Sequence, residues 1–370
     1  MTRDQPLSYV LPLKWDEATD RAARAELTAY LEFLAALVEV IVVDGSPPEL
    51  FAAHHQEWSG IAHHVRPAGV CRNGKVAGVH TGVQLARTEH VVVADDDVRY
   101  DAVNLAAVSR LLGDYDLVGP QNVFRPLPWH AAWDASRSLL NRALAADYPG
   151  TFGLRRSTFL GMGGYDGDVL FENLELMRTV RAYGGRVVRP LDVYVDRRPP
   201  SAAHFRGQRV RQAYDDLAQP WRLATFLSVL PAAVVAARRH GPVPLAAGVG
   251  AVVAMAECGR RRAGGREHFP GQVPWFAPAW VAERAVCSWL ALGQLVLHGG
   301  VGYASSRLRV AAHGTGWIRR RLEASPHPLV APTGAEGHRP VRAVAERLEG
   351  RPAAAAERDG LPAGVDLAAG

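Results

Sequence analysis

The sequence contains few lysines and few cysteines, and neither residue type forms a recognised pattern. Lys14 and Lys75 are the only lysines, against 40 arginines, a bias that says little about function but draws attention to each lysine that remains. The cysteines, Cys71, Cys258 and Cys287, form no CxxC pair and no metal-binding spacing. We therefore interpret them as reduced thiols in a cytosolic compartment, with structural roles.

An N-terminal apolar signal and a strong excess of one charge are also missing. The first fifteen residues, MTRDQPLSYVLPLKW, lack the apolar stretch of a secretory signal, so we expect the first domain to stay in the cytoplasm. The net charge of +5 suits anionic ligands or an anionic membrane surface, but it is too small to predict nucleic-acid binding. Hydrophobic residues make up 48%, which excludes global disorder.

Short apolar runs alternate with amphipathic stretches over the first two hundred residues. The β-branched runs 39–43 (EVIVV) and His90–Ala94 (HVVVA) are typical of buried strands. This alternation predicts an α/β fold with a mainly parallel sheet. Further strands are predicted at 9–13, 116–119 and 186–195, and helices at 75–86, 102–112 and Glu172–Tyr183.

Beyond residue 222 the sequence becomes apolar and basic. The runs 223–237 and 243–256 are separated by Arg238 and Arg239. Each run is shorter than the roughly 20 apolar residues that a bilayer span needs. An apolar hairpin bracketed by arginines is better suited to lying in the membrane interface.

A third apolar stretch, 275–301, is interrupted by Glu283 and Arg284, and charges are costly deep in lipid. We therefore expect residues 222–323 to form a helical region at the cytoplasmic face of a membrane, in peripheral or monotopic contact. A true span and helices that cover a soluble core are the alternatives. Residues 324–370 lack periodicity and predict a disordered tail.

Three consecutive carboxylates directly follow the predicted strand His90–Ala94. Asp95, Asp96 and Asp97 repel one another unless a cation lies among them. Asp95 and Asp97 share one side of an extended segment, because side chains alternate along it. Ligands of open α/β sheets bind at the carboxyl ends of strands, and Mg²⁺ binds through one or two carboxylates together with substrate phosphates.

Two further motifs suit a nucleotide. Asp44, Gly45 and Ser46 follow the run 39–43, where a carboxylate can accept hydrogen bonds from a base or ribose and the glycine permits close approach. The loop RNGK, which ends at Lys75, opens a predicted helix. It combines a helix N-terminus with a cation, a combination that favours phosphate.

In this order the motifs resemble those of the family 2 glycosyltransferases, which have the GT-A fold. The shared elements are VVDGS, NGKxxGxxxG and VVVADDDV as the DxD element. Downstream, GGYD at 163–166 and FENLELMRTVRAYGGRVV resemble the acceptor-side loop and the "ED" helix. QRVR at 208–211 is similar to the QxxRW element of membrane-linked members. The resemblance covers about residues 8–221 and predicts a GT-A (Rossmann-like) domain at 1–221.

The resemblance implies inverting transfer of a sugar from a nucleotide-diphosphate donor to a hydroxyl acceptor, which is a lipid, a polysaccharide or a small molecule. Asp95 and Asp97 would hold Mg²⁺ or Mn²⁺. Glu172 is the expected general base, and Glu175 and Asp166 are the other candidates. The residues expected to bind substrate are Asp44, Ser46, Lys75, Asp96, Gln208 and Arg211.

The sequence departs from the family pattern at three positions. Asn173 replaces the usual carboxylate of the "ED" pair, and an amide cannot act as the base. Gln212 stands where the QxxRW tryptophan is expected, and His80 replaces a common asparagine. These departures keep open a non-catalytic family member that binds a nucleotide or scaffolds a membrane complex. A sugar-nucleotide-forming nucleotidyltransferase is less favoured, since PLKWD after the first strand offers no glycine-rich loop.

The sequence also gives weaker predictions for the positions of several histidines and tryptophans. Adjacent histidines fit no zinc spacing, so we expect these pairs on the surface. Two tryptophans and the segment 150–154 are candidates for lining an acceptor site. The residues concerned are His54, His55, His63 and His64, and Trp129 and Trp133.

Overall fold

The computed structural model describes residues 6–16, 21–303, 306–324 and 331–332. These residues belong to one compact unit, Met1–Thr333. Most of the predicted tail at 324–370 lies outside the described residues. The predicted domain boundary at residue 221 stays a prediction.

The described chain contains strands and helices in an α/β arrangement. The strands are β1 Leu7–Leu13, β2 Glu39–Asp44, β3 His63–Val65, β4 Gly69–Val70, β5 His90–Ala94, β6 Val98–Arg99, β7 Leu117–Val118, β8 Gln121–Phe124, β9 Thr151–Arg155, β10 Val187–Val188, β11 Tyr194–Arg197, β12 Val301–Tyr303, β13 Ser306–Leu308 and β14 Ala331–Pro332. The helices are α1 Arg21–Ala35, α2 Pro48–Trp58, α3 Gly74–Leu85, α4 Ala102–Leu111, α5 Trp129–Leu144, α6 Arg156–Gly161, α7 Glu172–Tyr183, α8 Ala202–Gly207, α9 Arg209–Tyr214, α10 Pro220–His240, α11 Val243–Arg261, α12 Gly265–His268, α13 Ala277–His298 and α14 Thr315–Ala324. Two 3₁₀ turns lie at Asp215–Ala218 and Val273–Phe276.

The main sheet has seven strands in the order β10-β7-β9-β5-β1-β2-β3. Strands β1, β2, β3 and β5 are parallel, and β9 joins β5 and β7 in antiparallel register. The chain moves outward from β1 through β2 to β3 and then returns to the other side of β1 as β5. The crevice between the carboxyl ends of β1 and β5 is therefore a topological switch point, where ligands of such sheets bind.

Alternate residues of the central strands face two separate hydrophobic clusters, as the two-residue period of a strand requires. Val10 and Val93 pack with α3 and α7 on one face. Tyr9, Leu11 and Val92 pack with α1 and α4 on the other. Both faces of the sheet are covered by helices, which agrees with the α/β class predicted from the sequence.

Two glycines allow helix α3 to lie unusually close to β1. A Cβ atom at Gly78 would lie 2.8 Å from Cβ of Pro12, and one at Gly82 would lie 2.2 Å from Cγ1 of Val10. The spacing GxxxG thus lets the helix backbone approach the strand. This close packing fixes the start of α3, and with it Lys75, beside the carboxyl edge of the sheet.

The apolar region after residue 220 forms longer helices than the sequence pattern predicted. Helix α10 has 21 residues and α11 has 19, because both continue through the flanking basic residues, and α10 continues through Pro231. Both are long and apolar enough to cross a membrane by length and composition, and little of either is buried. The expectation that these segments are too short to span was therefore wrong.

Helix α13 covers most of the third apolar stretch and packs against the α/β domain. Its two charged residues face protein partners. Arg284 is buried and pairs with Asp216 at 2.8 Å, and Glu283 accepts a hydrogen bond from the Trp133 indole at 2.6 Å. The charges that would oppose burial in lipid are therefore neutralised within the protein.

A short segment after β13 lies across the beginning of α7. The backbone N–H groups of Leu170 and Phe171 donate to the carbonyl oxygens of Val310 and Ala311, at 3.0 and 2.7 Å. The Arg178 guanidinium donates to the His313 carbonyl at 2.7 Å. We call residues 309–313 the α7 strap.

Candidate active site

A polar cavity of about 310 Å³ opens beside the end of β5. Several elements that are distant in sequence contribute its side chains. Lys75 comes from the start of α3, Asp95 from the end of β5, Glu172 from the start of α7 and Arg197 from the end of β11. The segment around α9 adds further polar side chains, which include Gln208, Arg211, Asp215 and Asp216.

Lys75 lies at the centre of the predicted motifs. Its ammonium is 2.6 Å from Oδ1 of Asp95 and 2.7 Å from Oε1 of Glu172. Burial alone would lower the pKa of Lys75, but these two carboxylates raise it well above its usual range. The residue therefore stays protonated and joins the DxD element to the start of α7.

Arg197 provides a second cation to the DxD element. Its Nε is 2.9 Å from Oδ2 of Asp97, and its Nη2 is 3.5 Å from Oδ2 of Asp95. Gly150 gives this guanidinium room, since a Cβ there would lie 2.9 Å from Nη1 of Arg197. Burial raises the pKa of Asp97, with Arg197 opposing the shift and the neighbouring Asp95 adding to it.

The DxD carboxylates are suited to a divalent cation that arrives with phosphates. Among the described residues, no group of three or more His, Cys, Asp or Glu side chains is arranged to hold a metal. Asp97 Oδ1 is buried and has no hydrogen-bond partner among the residues that the structure describes. Two carboxylates, one with an unsatisfied oxygen, fit the way Mg²⁺ is bound between protein and substrate phosphates.

Trp15 links Asp96, the middle residue of the DxD element, to the DGS motif through hydrogen bonds. The Trp15 indole donates to Oδ2 of Asp96 at 2.7 Å, and its backbone N–H donates to Oγ of Ser46 at 2.9 Å. Ser46 is buried, and its N–H donates to Oδ1 of Asp44 at 2.8 Å. Asp44, Ser46 and Asp96 therefore lie on one connected edge, next to the cavity that Lys75 and Asp95 line.

Asp44 is fully buried and has two histidine partners. His54 Nδ1 lies 2.7 Å and His64 Nε2 lies 3.2 Å from its Oδ2. Burial would raise the pKa of Asp44, but hydrogen bonds from His64, Ser46 and His54 hold it well below its usual range. The expectation that the paired histidines lie on the surface was wrong for His54 and His64, because a buried carboxylate needs donors. His55 and His63 are exposed.

The QRVR segment reaches the cavity through Gln208 and Arg211. Gln212, at the position of the expected tryptophan, also lines it, and its amide donates to Oε1 of Gln208 at 3.4 Å. Arg209, between them, is buried and pairs with Asp134 of α5 at 2.7 Å. In this segment, residues that line the cavity therefore lie on either side of Arg209, which anchors the segment to α5.

The three candidates for the general base lie in different places. Glu172 lines the cavity, with Lys75 on its Oε1. Glu175 is buried and accepts the His313 backbone N–H at 2.7 Å in the α7 strap. Asp166 pairs with Arg321 of α14 at 2.9 Å. The structure therefore brings only Glu172 of these three to the cavity.

The structure also shows where Asn173 and the residues expected at the acceptor site lie. Asn173 lines the cavity, and its amide donates to the Pro149 carbonyl at 3.0 Å. Of the expected acceptor-site residues, Gly150 lines the cavity, whereas the Trp133 indole bonds to Glu283 of α13. Trp129 is exposed on α5.

Arg197 and Asp215 are among the cavity residues that the sequence analysis did not anticipate. Arg197 is the last residue of β11, and its position just after the predicted strand at 186–195 was a usable signal. Asp215 follows α9 and lines the cavity without a hydrogen bond or ion pair to any residue that the structure describes. Burial raises the pKa of Asp215 to about 7. No sequence signal separates it from its neighbour Asp216.

No protein-family model and no curated protein matches the chain. Among solved structures, the mannosyltransferase PcManGT from Pyrobaculum calidifontis, in complex with GDP-Man and Mn²⁺, is 20% identical with a TM-score of 0.45, covering 77% of this chain and 87% of that one. M. tuberculosis glucosyl-3-phosphoglycerate synthase is 18% identical with a TM-score of 0.36, covering 54% and 73%. S. aureus TarS 1-349 is 11% identical with a TM-score of 0.39, covering 82% and 94%.

Proposed function

We propose that the protein is a glycosyltransferase that moves a sugar from a nucleotide-diphosphate donor to an acceptor hydroxyl with inversion. The observation that supports this most directly is the meeting of Lys75, Asp95, Glu172, Arg197 and Arg211 in one cavity at the sheet's switch point. Carboxylates that suit a divalent cation lie beside basic groups that suit phosphate oxygens. A diphosphate with its cation satisfies both sets of charges.

The basic side chains bind the diphosphate and stabilise it as it leaves. Lys75 lines the cavity from α3 and Arg211 from α9, and Arg197 contacts the DxD carboxylates. Fixed positive charges at the place where negative charge develops are a large source of catalytic stabilisation. Asp44 and Ser46 lie at the neighbouring edge, where we assign the nucleoside.

Asp95 and Asp97 would hold Mg²⁺ or Mn²⁺ between the protein and the donor phosphates. When bound, such an ion neutralises the departing diphosphate as a Lewis acid. The protein's own part is to present both carboxylates from one strand end, with Arg197 balancing their charge in the absence of the ion. Without a cation, the donor phosphates and these carboxylates repel each other.

The exposed apolar helices α10 and α11 suggest where the acceptor comes from. They form a hairpin whose tip carries Arg238, Arg239 and His240. A spanning hairpin would move these basic residues across the bilayer, which the positive-inside tendency disfavours. We therefore assign the hairpin to the cytoplasmic membrane interface, in peripheral contact, and a lipid-linked acceptor follows naturally from that position.

Donor binding tests the proposal. We expect the melting temperature to rise with one of UDP-glucose, GDP-mannose or dTDP-glucose in Mn²⁺, and the affinity for that donor to fall about tenfold or more in EDTA. Asp97→Asn should lose the metal-dependent part of the affinity, whereas Asp114→Asn, at an exposed acid, should keep it. Equal affinity with and without metal would remove the metal role. No shift with any donor would refute the proposed function.

Slow release of the nucleoside diphosphate in the same samples separates an enzyme from a non-catalytic nucleotide-binding or scaffold protein. Release by the wild-type protein supports an enzyme. Binding with no release in the presence of water and of added alcohols favours the scaffold.

A further inference from the structure

Four carboxylates line the cavity, and three of them are already paired with cations. Asp95 and Glu172 share Lys75, at 2.6 and 2.7 Å. Asp216 holds Arg284 at 2.8 Å and Arg222 at 2.9 Å. Asp215 is the exception, with no hydrogen bond or ion pair to its side chain from the described residues.

The position of Asp215 is set by local structure. Helix α9 ends at Tyr214, which is fully buried and whose hydroxyl donates to the Arg309 carbonyl at 2.7 Å. The next residue begins the 3₁₀ turn Asp215–Ala218. Because Asp216 on this turn is fixed by Arg222 of α10 and Arg284 of α13, the turn is anchored by the C-terminal helices, and Asp215 lines the cavity. The carboxylate is thus held by the backbone rather than by a partner of its own.

We propose that Asp215 is the general base of the transfer, in place of the sequence-predicted Glu172; this assignment rests on the proposed function. Its carboxylate takes the proton from the acceptor hydroxyl. The acceptor oxygen forms a bond to the anomeric carbon as the bond from that carbon to the diphosphate oxygen breaks. The electron pair of the broken bond leaves with the nucleoside diphosphate, and the protonated Asp215 afterwards returns its proton to solvent.

The charges around Asp215 support its role as a proton acceptor. Arg284 of α13 and Arg211 of α9 favour its ionised form, whereas burial, Asp216 and Glu172 of α7 oppose it. The net result is that the pKa of this carboxyl is raised to about 7, near the pH at which a base both accepts protons readily and is largely ionised. Glu172, by contrast, already has an ammonium at 2.7 Å from Oε1. That carboxylate acts by holding Lys75.

This assignment explains how the chain functions with Asn173 in the "ED" pair. The asparagine amide bonds to the Pro149 carbonyl and helps to shape the cavity wall. The acid that the pair lacks is supplied from the 3₁₀ turn after α9, about forty residues later in the sequence. A separation of this kind is common in active sites, whose residues are adjacent in space and distant along the chain.

The test compares Asp215→Asn, Glu172→Gln and the exposed control Asp114→Asn in the full-length protein. The donor is the one of UDP-glucose, GDP-mannose and dTDP-glucose that raises the wild-type melting temperature in Mn²⁺. Affinity is measured by calorimetry, and nucleoside diphosphate release is followed with water and with glycerol as acceptors, from pH 5.5 to 8.5. Donor affinity reports whether each variant is folded.

We expect Asp215→Asn to keep the donor affinity within about threefold and to lose release by roughly 10²–10⁴. Wild-type release should rise with pH around a midpoint near 7, because the ionised carboxylate is the active form. Glu172→Gln should weaken donor binding and lower this midpoint, because the Glu172 carboxylate opposes the ionised form of Asp215. Asp114→Asn should behave as the wild type.

Three results would overturn the assignment. Unchanged release by Asp215→Asn, with release abolished by Glu172→Gln, returns the base to Glu172 and leaves the proposed function intact. A wild-type midpoint that persists in Asp215→Asn shows that another group titrates. Donor binding by the wild type without any release removes the base altogether. Absence of donor binding would instead refute the proposed function itself.

Discussion

Acid should destabilise this protein through His80, which lies beneath the loop at 163–166. The ring is 5% exposed, and its Nε2 lies 3.2 Å from both the N and the O of Tyr165. Gly164 has φ +79°, and a Cβ there would lie 1.8 Å from Cε1 of His80, so no water separates the ring from this loop. Burial lowers the pKa of His80 to about 4.

The size of the effect follows from linkage. An unfolded histidine has a pKa of about 6.5. Between about pH 6.5 and 4, His80 is therefore protonated in the unfolded chain and neutral in the folded chain. The contribution of neutral His80 to the free energy of unfolding is therefore complete above the pKa of the unfolded histidine, and it is lost as the pH falls from about 6.5 to 4. At pH 5 the loss relative to pH 7.5 is about 2 kcal/mol, and it approaches about 3 kcal/mol below pH 4.

Urea unfolding at pH 7.5 and pH 5 measures this contribution. His80→Asn places at this position the residue that is common in the resembling family, and it cannot bind a proton. Its loss of unfolding free energy between the two pH values should be about 2 kcal/mol smaller than that of the wild type. The exposed His63 provides the matched control, and His63→Asn should leave the wild-type loss unchanged. Equal losses in wild type and His80→Asn would refute the reasoning.

Two further predictions concern the C-terminal helices. If the hairpin lies in the membrane interface, alkaline carbonate should release the protein from membranes, and retention that only detergent reverses would mean that α10 and α11 span the bilayer. Gly259→Ala should lower the unfolding free energy by about 1–3 kcal/mol, because the new Cβ would lie 1.9 Å from the Leu139 carbonyl oxygen of α5. Gly250→Ala, where nothing lies within 4 Å, should instead raise it by about 0.5–1 kcal/mol. A small effect at Gly259 would show that α11 does not dock tightly on α5.

The long periodic elements of the fold were predictable from the sequence. The strand His90–Ala94 and the helix Glu172–Tyr183 have the predicted bounds. The predicted strand at 186–195 instead forms two short strands, β10 and β11, in different sheets. Strands of two to four residues carry too little pattern, and their pairing is decided by tertiary contacts.

The site was predictable where motifs follow strands and unpredictable where packing decides. Lys75 and Asp95 meet as their motifs indicated. Glu172 and Glu175 both lie in the first turn of the predicted helix, and tertiary contacts separate them: Lys75 pairs with Glu172, and the α7 strap binds Glu175. Asp215 and Asp216 are likewise adjacent identical residues. Which of them receives Arg284 depends on helix α13, about seventy residues later in the chain.

The α7 strap also determines where the protein can be shortened for expression. Glu175 is buried, and both of its carboxylate oxygens accept hydrogen bonds from His313, at 2.7 and 3.0 Å. A fragment that stopped at residue 221, where the resemblance ends, would leave this charge buried and unpaired, which typically costs several kcal/mol. The smallest recombinant fragment that retains the cavity therefore continues through residue 313 and includes the exposed apolar helices α10 and α11 as well as α13.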